Sequence, residues 1–236
     1  MSWLTPPRRP GRELLDDPSL PPHEMAANLA ELSRIDRVWG GSRALSRWLL
    51  GRSNGSRRIV VLDLGAGSGV AAGRLSRNLS RAGLGSTVVA LDLQWRHLAA
   101  GRGTRREDVK AVAADALRLP LSDGSVDFAV STLLLHHLSP FELTALLREI
   151  RRVARRGFAL LDLRRHRVPL AFLAAAGRLL FASPVTRHDG LVSVRQAYTL
   201  EELGQILAAA DPRAHVERLF PYRLLVASTD SPRSAS

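Results

Sequence analysis

The stretch VVLDLGAGSG, residues 60–69, is an apolar run that ends in a carboxylate and passes into three glycines at alternate positions. Residues 59–64 are short, apolar and unalternating, the pattern of a strand buried on both faces, and residues 70–82 carry helical spacing. Gly65, Gly67 and Gly69 allow the chain to turn sharply between the two and bring backbone N–H groups close to a ligand. The same segment also holds Gly67, Gly69 and Ala72 in the G-x-G-x-x-A spacing of a dinucleotide site. Asp92 follows about 20 residues on, where a ribose acceptor belongs. On the loop alone a nicotinamide ligand therefore stays open. Asp63 separates the readings, because a pyrophosphate would meet like charge there whereas an ammonium group would be favoured.

Outward from this loop the chain alternates between apolar runs and helical stretches. Residues 87–91, 109–113, 126–130 and 158–163 read as further buried strands; residues 94–100 and 140–154 read as crossover helices. The expected architecture is a doubly wound α/β sheet, Rossmann-like, with helices on both faces and seven strands. The last two strands, 214–220 and 224–227, are joined by Pro221 and Tyr222 and pair antiparallel at the edge. Residues 22–50 form two amphipathic helices split at Gly40 and Gly41. Residues 169–182 form an apolar helix, 187–195 a loop, and 199–210 a helix with Thr199 as N-cap and Glu202 in the capping-box position.

The expected organisation is a disordered tail at 1–21, a helical cap at 22–56 and a catalytic-type domain at 57–228. A recognition insertion lies within it at 168–198, and a second disordered tail follows at 229–236. The net charge of +12 raises nucleic acid as a partner, but Lys110 is the single lysine and the arginines are spread along the whole chain, which argues against a dedicated face. Arg151, Arg152, Arg155 and Arg156 read as the solvated end of a helix. With no cysteine in 236 residues, disulfides, thiolate metal sites and cysteine nucleophiles are excluded. The start of the chain has no secretory signal pattern and no run of about 20 apolar residues appears, so a cytoplasmic location is expected.

VLDLGAGSG, then ALDL, then DALRLPLSDGSVDF resemble, in order, the successive motifs of class I S-adenosylmethionine-dependent methyltransferases. The likeness is to the small-molecule branch that includes ubiquinone, menaquinone and natural-product enzymes, and it spans residues 58–163. It implies S-adenosyl-L-methionine as cofactor and seven strands with the last antiparallel. By this resemblance Gly65, Ala66, Gly67 and Gly69 pass under the methionine part and Asp63 stabilises its arrangement. Asp92 holds the ribose hydroxyls, Asp115 meets the adenine, Leu93 and Ala116 line it, and Thr132 and Leu133 form the wall near the sulfonium. Arg43 is a candidate partner for the cofactor carboxylate; read blandly, it is a solvated helix arginine.

Methyl transfer is an in-line displacement in which positioning supplies much of the catalysis and a base is optional. For a hydroxyl acceptor, His137 is the favoured base and His188, beside Asp189, the second candidate. Neighbouring side chains diverge, so only one of His136 and His137 is expected to face the substrate. No carboxylate cluster accompanies these histidines in sequence, and no metal site is expected. The expected acceptor is a hydrophobic or aromatic small molecule methylated on oxygen, or less readily on carbon. The alternatives are a cofactor-binding regulatory domain without catalysis and an NAD-dependent oxidoreductase. The Asn/Asp-Pro-Pro-Tyr motif of base-amino methylation is absent, since Ser131, Thr132, Leu133 and Leu134 stand there.

Overall fold

The computed structural model describes residues 3–53 and 55–229. Strands β1 (Arg58–Leu64), β2 (Gly85–Asp92), β3 (Val109–Ala113), β4 (Val126–Thr132), β5 (Ala154–Leu163), β6 (His215–Leu219) and β7 (Arg223–Thr229) form one sheet in the order β3-β2-β1-β4-β5-β7-β6. The first five are parallel, and β7 runs antiparallel between β5 and β6. This is the expected seven-stranded doubly wound sheet.

Why β1 reads as continuous apolar sequence is visible in its packing: Ile59 and Val61 enter one core, and Leu62 and Leu64 the other. The first core is closed by α2 (Gly41–Leu50) and α3 (Val70–Arg81), which supply Leu45, Trp48, Leu49, Leu75 and Leu79. The second is closed by α5 (Pro140–Val153) and α8 (Leu200–Ala210), through Leu143, Leu146, Ile150, Leu203 and Leu207. Both of these helices begin in a reciprocal capping box, Ser139 with Glu142 and Thr199 with Glu202, which satisfies N–H groups that the first turn leaves open. Helix α1 (Pro22–Trp39) ends at Gly40, whose φ of 74° lets the chain reverse into α2. A short helix, α4 (Trp95–Ala100), follows β2.

Four expectations are corrected. Residues 187–195 are not a loop but part of α7 (Pro184–Gln196), capped by Ser183 Oγ and anchored by buried Val185 and Val194. The turn-like His188-Asp189-Gly190 sits within it, with Gly190 facing Leu173 of α6 (Arg167–Leu180). The apolar helix expected at 169–182 runs instead over Arg167–Leu180, and its Phe172, Leu179 and Leu180 are exposed. The arginine cluster is not a solvated helix end. Arg151 pairs with Asp211, Arg152 with Glu149 and Asp123, Arg155 with Asp127, and Arg156 stacks over Phe128.

The fourth correction is the largest. Residues 3–20, expected to be outside the fold, pack along α7 and the carboxyl edge of the sheet. Arg8 donates to the carbonyls of Gln196 and Leu138 and lies over the Tyr198 ring. The N–H groups of Leu14 and Leu15 are both accepted by the buried Asp189 carboxylate, and Leu20 joins Met25, Leu29 and Val185 in a small apolar cluster. The proposed second tail begins at Thr229, which is the last residue of β7; residues 230–236 lie outside the described residues.

Candidate active site

The glycine loop leaves β1 with Gly65, Gly67 and Gly69 all in the left-handed region, at φ 67°, 54° and 74°. A side chain at any of them would be strained, which is the local reason for glycine at alternate positions. The loop is stitched to the sheet by Ala66 N–H donating to the Leu91 carbonyl at 2.9 Å, and Gly69 begins α3. Gly101, which sequence reasoning passed over, supports the loop from below: a Cβ there would stand 1.8 Å from the Ser68 carbonyl oxygen.

Two carboxylates flank the loop. Asp63, at the end of β1, is buried, and burial, with Asp36 and Asp92 as negative neighbours, pushes its pKa up to about 7. A water-sized cavity beside it is lined by Ser42, Leu45, Ala71, Leu75 and Thr132. Asp92, at the end of β2, takes the Gly67 N–H on Oδ2 at 2.8 Å and the Gln94 N–H on Oδ1 at 2.8 Å, with His97 Nδ1 3.2 Å away. Asp115 accepts from Leu117 N–H in an exposed turn past β3, with Ala116 half-buried beside it, and Leu93 is exposed at the β2 end. Leu133 has φ 61°, uncommon for a branched side chain, and together with Thr132 ends β4. Asp63, the three glycines, Asp92, Thr132 and Leu133 therefore gather at the carboxyl edge of the parallel strands, the position where open α/β sheets bind ligands.

Arg43 does not join them. Its guanidinium is taken up by the Arg37 and Val38 carbonyls at the end of α1. Arg74 of α3 is paired with Asp36 at 2.7 Å, while Asp36 also accepts the Ser42 N–H and hydroxyl.

The two histidines after β4 differ in burial. His136 is the buried one: its Nδ1 is 2.7 Å from Asp162 Oδ1 at the end of β5, its own N–H donates to Asp162 Oδ2, and its Nε2 is 3.2 Å from Glu13. Burial alone would lower its pKa, but Asp162 and Glu13 outweigh that and raise it to about 10. His137 is more exposed and lies 3.3 Å from Asp16 and 3.8 Å from Glu13. His188 is on α7, not in a covering loop, with Nδ1 2.8 Å from Asp189, the carboxylate that also holds Leu14 and Leu15. Asp162 was legible as a carboxylate inside the apolar run LLDL, the same signature as Asp63 in VLDL. Glu13, in an N-terminal stretch rich in Pro and Arg, carried no such signal.

Residues 61–157 match the family model described as a methyltransferase domain. The chain is 34 % identical over 148 residues to a demethylmenaquinone methyltransferase of Beutenbergia cavernae, covering 58 % of this chain and 55 % of that protein. It is 41 % identical over 101 residues to a malonyl-[acyl-carrier protein] O-methyltransferase of a Marinomonas species, covering 42 % and 35 %. The chain thus spans about half or less of the length of these curated relatives. Among solved structures, an S-adenosylmethionine-dependent methyltransferase of Aquifex aeolicus superposes with a TM-score of 0.56 at 22 % identity, over 78 % of this chain and 88 % of that one, a likeness of fold. The matched segment spans the glycine loop, and the sheet carries the expected strand order, so residues 61–157 are similar to the methyltransferase-domain family and the whole sheet shares the fold of S-adenosylmethionine-dependent methyltransferases.

Proposed function

We propose that the protein transfers a methyl group from S-adenosyl-L-methionine to an oxygen, or secondarily a carbon, of a hydrophobic small molecule. The observation that carries this is the pair of buried carboxylates, Asp63 and Asp92, on either side of a left-handed glycine loop. A buried carboxylate whose ionisation is opposed by its neighbours is matched by an ammonium group and mismatched by a pyrophosphate. When bound, the cofactor supplies an electrophilic methyl on a positively charged sulfur. Gly65, Ala66, Gly67 and Gly69 would hold its methionine part with Asp63, and Asp92 its ribose. Asp115, Leu93 and Ala116 would meet the adenine, and Thr132 and Leu133 would form the wall near the methyl group.

His137 is the better-founded base of the pair: it is the more exposed, whereas His136 is held protonated between Asp162 and Glu13. His188 has no such place: its partner Asp189 faces the N-terminal segment. The demethylmenaquinone acceptor in one relative's name supports a hydrophobic acceptor class for this chain. No helix among the described residues is long and apolar enough to cross a membrane, which supports a cytoplasmic setting.

Calorimetry with S-adenosylhomocysteine tests the donor half: binding is expected, with Asp92→Asn weakening it at least tenfold. NAD binding in its place would return the loop to the dinucleotide reading. Labelled methyl transfer into the lipophilic fraction of a cell extract tests the acceptor half, and binding without any labelled product would leave a regulatory domain.

A further inference from the structure

His136 and His137 are successive residues of one tight helical turn, Leu135–His137, yet their ring centroids are 4.3 Å apart and the rings only 34° from parallel. Both rings thus face one side. Each has its Nδ1 held by a carboxylate, Asp162 at 2.7 Å for His136 and Asp16 at 3.3 Å for His137. The two remaining nitrogens converge on a single carboxylate: Nε2 of His136 is 3.2 Å and Nε2 of His137 3.8 Å from the oxygens of buried Glu13. The ligand-type atoms of these three residues all lie within 4.8 Å of one another.

We propose that Glu13, His136 and His137 form a binding site for one divalent transition-metal ion of the zinc type. Bonds of about 2.0–2.2 Å to nitrogen and oxygen require ligand separations of this size after small adjustments. Two imidazoles and one carboxylate suit zinc, cobalt or nickel, whereas magnesium and calcium demand more oxygens. Asp162 and Asp16 are placed as the outer partners that fix histidine tautomer and ring direction in metal sites. Because one ligand comes from the N-terminal segment and two from the end of β4, the ion fastens residues 3–20 over the site. It also takes the Nε2 that would serve as base, so metal-bound and base-active forms exclude one another. The binding claim stands apart from the methyl-transfer reading.

The test is a zinc chloride titration of the chelator-stripped, full-length protein by calorimetry, with trypsin cleavage after Arg12 as a second measurement. One ion per chain is expected. Glu13→Gln and His137→Phe should each weaken binding at least tenfold, with His23→Gln, outside the cluster, unchanged. Zinc should slow cleavage after Arg12 in the native chain and not in His137→Phe, a half-exposed position that tolerates the change. Absence of zinc binding, affinity unchanged in both variants, or equal cleavage with and without zinc in the native chain would each overturn the proposal.

Discussion

Asp63 couples the site to solution conditions. Folded, it keeps its proton up to about pH 7, while an ordinary carboxyl loses it near 3.8. Between those values the folded chain binds more protons than the unfolded one, so this residue subtracts stability as pH rises through the window and adds no further change above it. The total is on the order of a few kcal/mol. Urea denaturation at pH 5, 6, 7 and 8 should show native stability falling relative to Asp63→Asn, and the fall should shrink with S-adenosylhomocysteine present, whose ammonium favours the charged carboxylate. Parallel profiles for the two proteins would remove Asp63 from this role. Gly101 makes a complementary case, since its φ of −92° suits any residue and only the Ser68 carbonyl forbids a side chain. Gly101→Ala should cost roughly 1–3 kcal/mol through overpacking and weaken S-adenosylhomocysteine binding by shifting the loop; unchanged affinity would show that the loop is not held from this side.

At the scale of elements, the N-terminal segment is held mainly by polar contacts. Arg96 donates to the carbonyls of Pro18 and Leu20, Gly11 N–H to the Gln196 side chain, and Ser193 to Glu13, in addition to the Asp189 contacts. Composition alone argued for disorder here, because the segment has little apolar area to bury; its partners are backbone groups and carboxylates from residues about 80 to 190 positions away. Deleting residues 1–20 should leave Asp189, Gln196 and His136 with buried groups short of partners and lower stability by about 2–4 kcal/mol, read as a lower urea midpoint. An equal midpoint would mean that the segment contributes nothing. Helix α7 carries the same lesson, since Asp189 and Gly190 read locally as a turn and are helical because α6 and the N-terminal segment use them.

At the scale of the whole molecule, the parallel order of β2, β1, β4 and β5 brings Asp92, Asp63, Thr132 and Asp162 to one edge although they are far apart in sequence. A ligand seated across that edge would bind only the folded chain. S-adenosylhomocysteine at 100 times its dissociation constant should therefore stabilise the protein by about 2.7 kcal/mol, a rise in Tm of roughly 5–10 °C for a chain of this size. NAD at the same concentration should produce none. The glycine-loop geometry was legible in sequence, because a buried strand, its terminal aspartate and the glycines are local and contiguous, and their spacing is set by the backbone. The sheet was legible for the same reason, through runs of apolar residues whose period is local. The surroundings of the histidine pair were not. Adjacent His136 and His137 differ only in what surrounds them, and Asp162, Asp16 and Glu13 reach them from β5 and the N-terminal segment. The sequence by itself thus determined the fold and the glycine loop, while the choice of buried histidine and the packing of residues 3–20 were decided only by tertiary contacts, whose long-range hydrogen bonds leave no periodic trace along the chain.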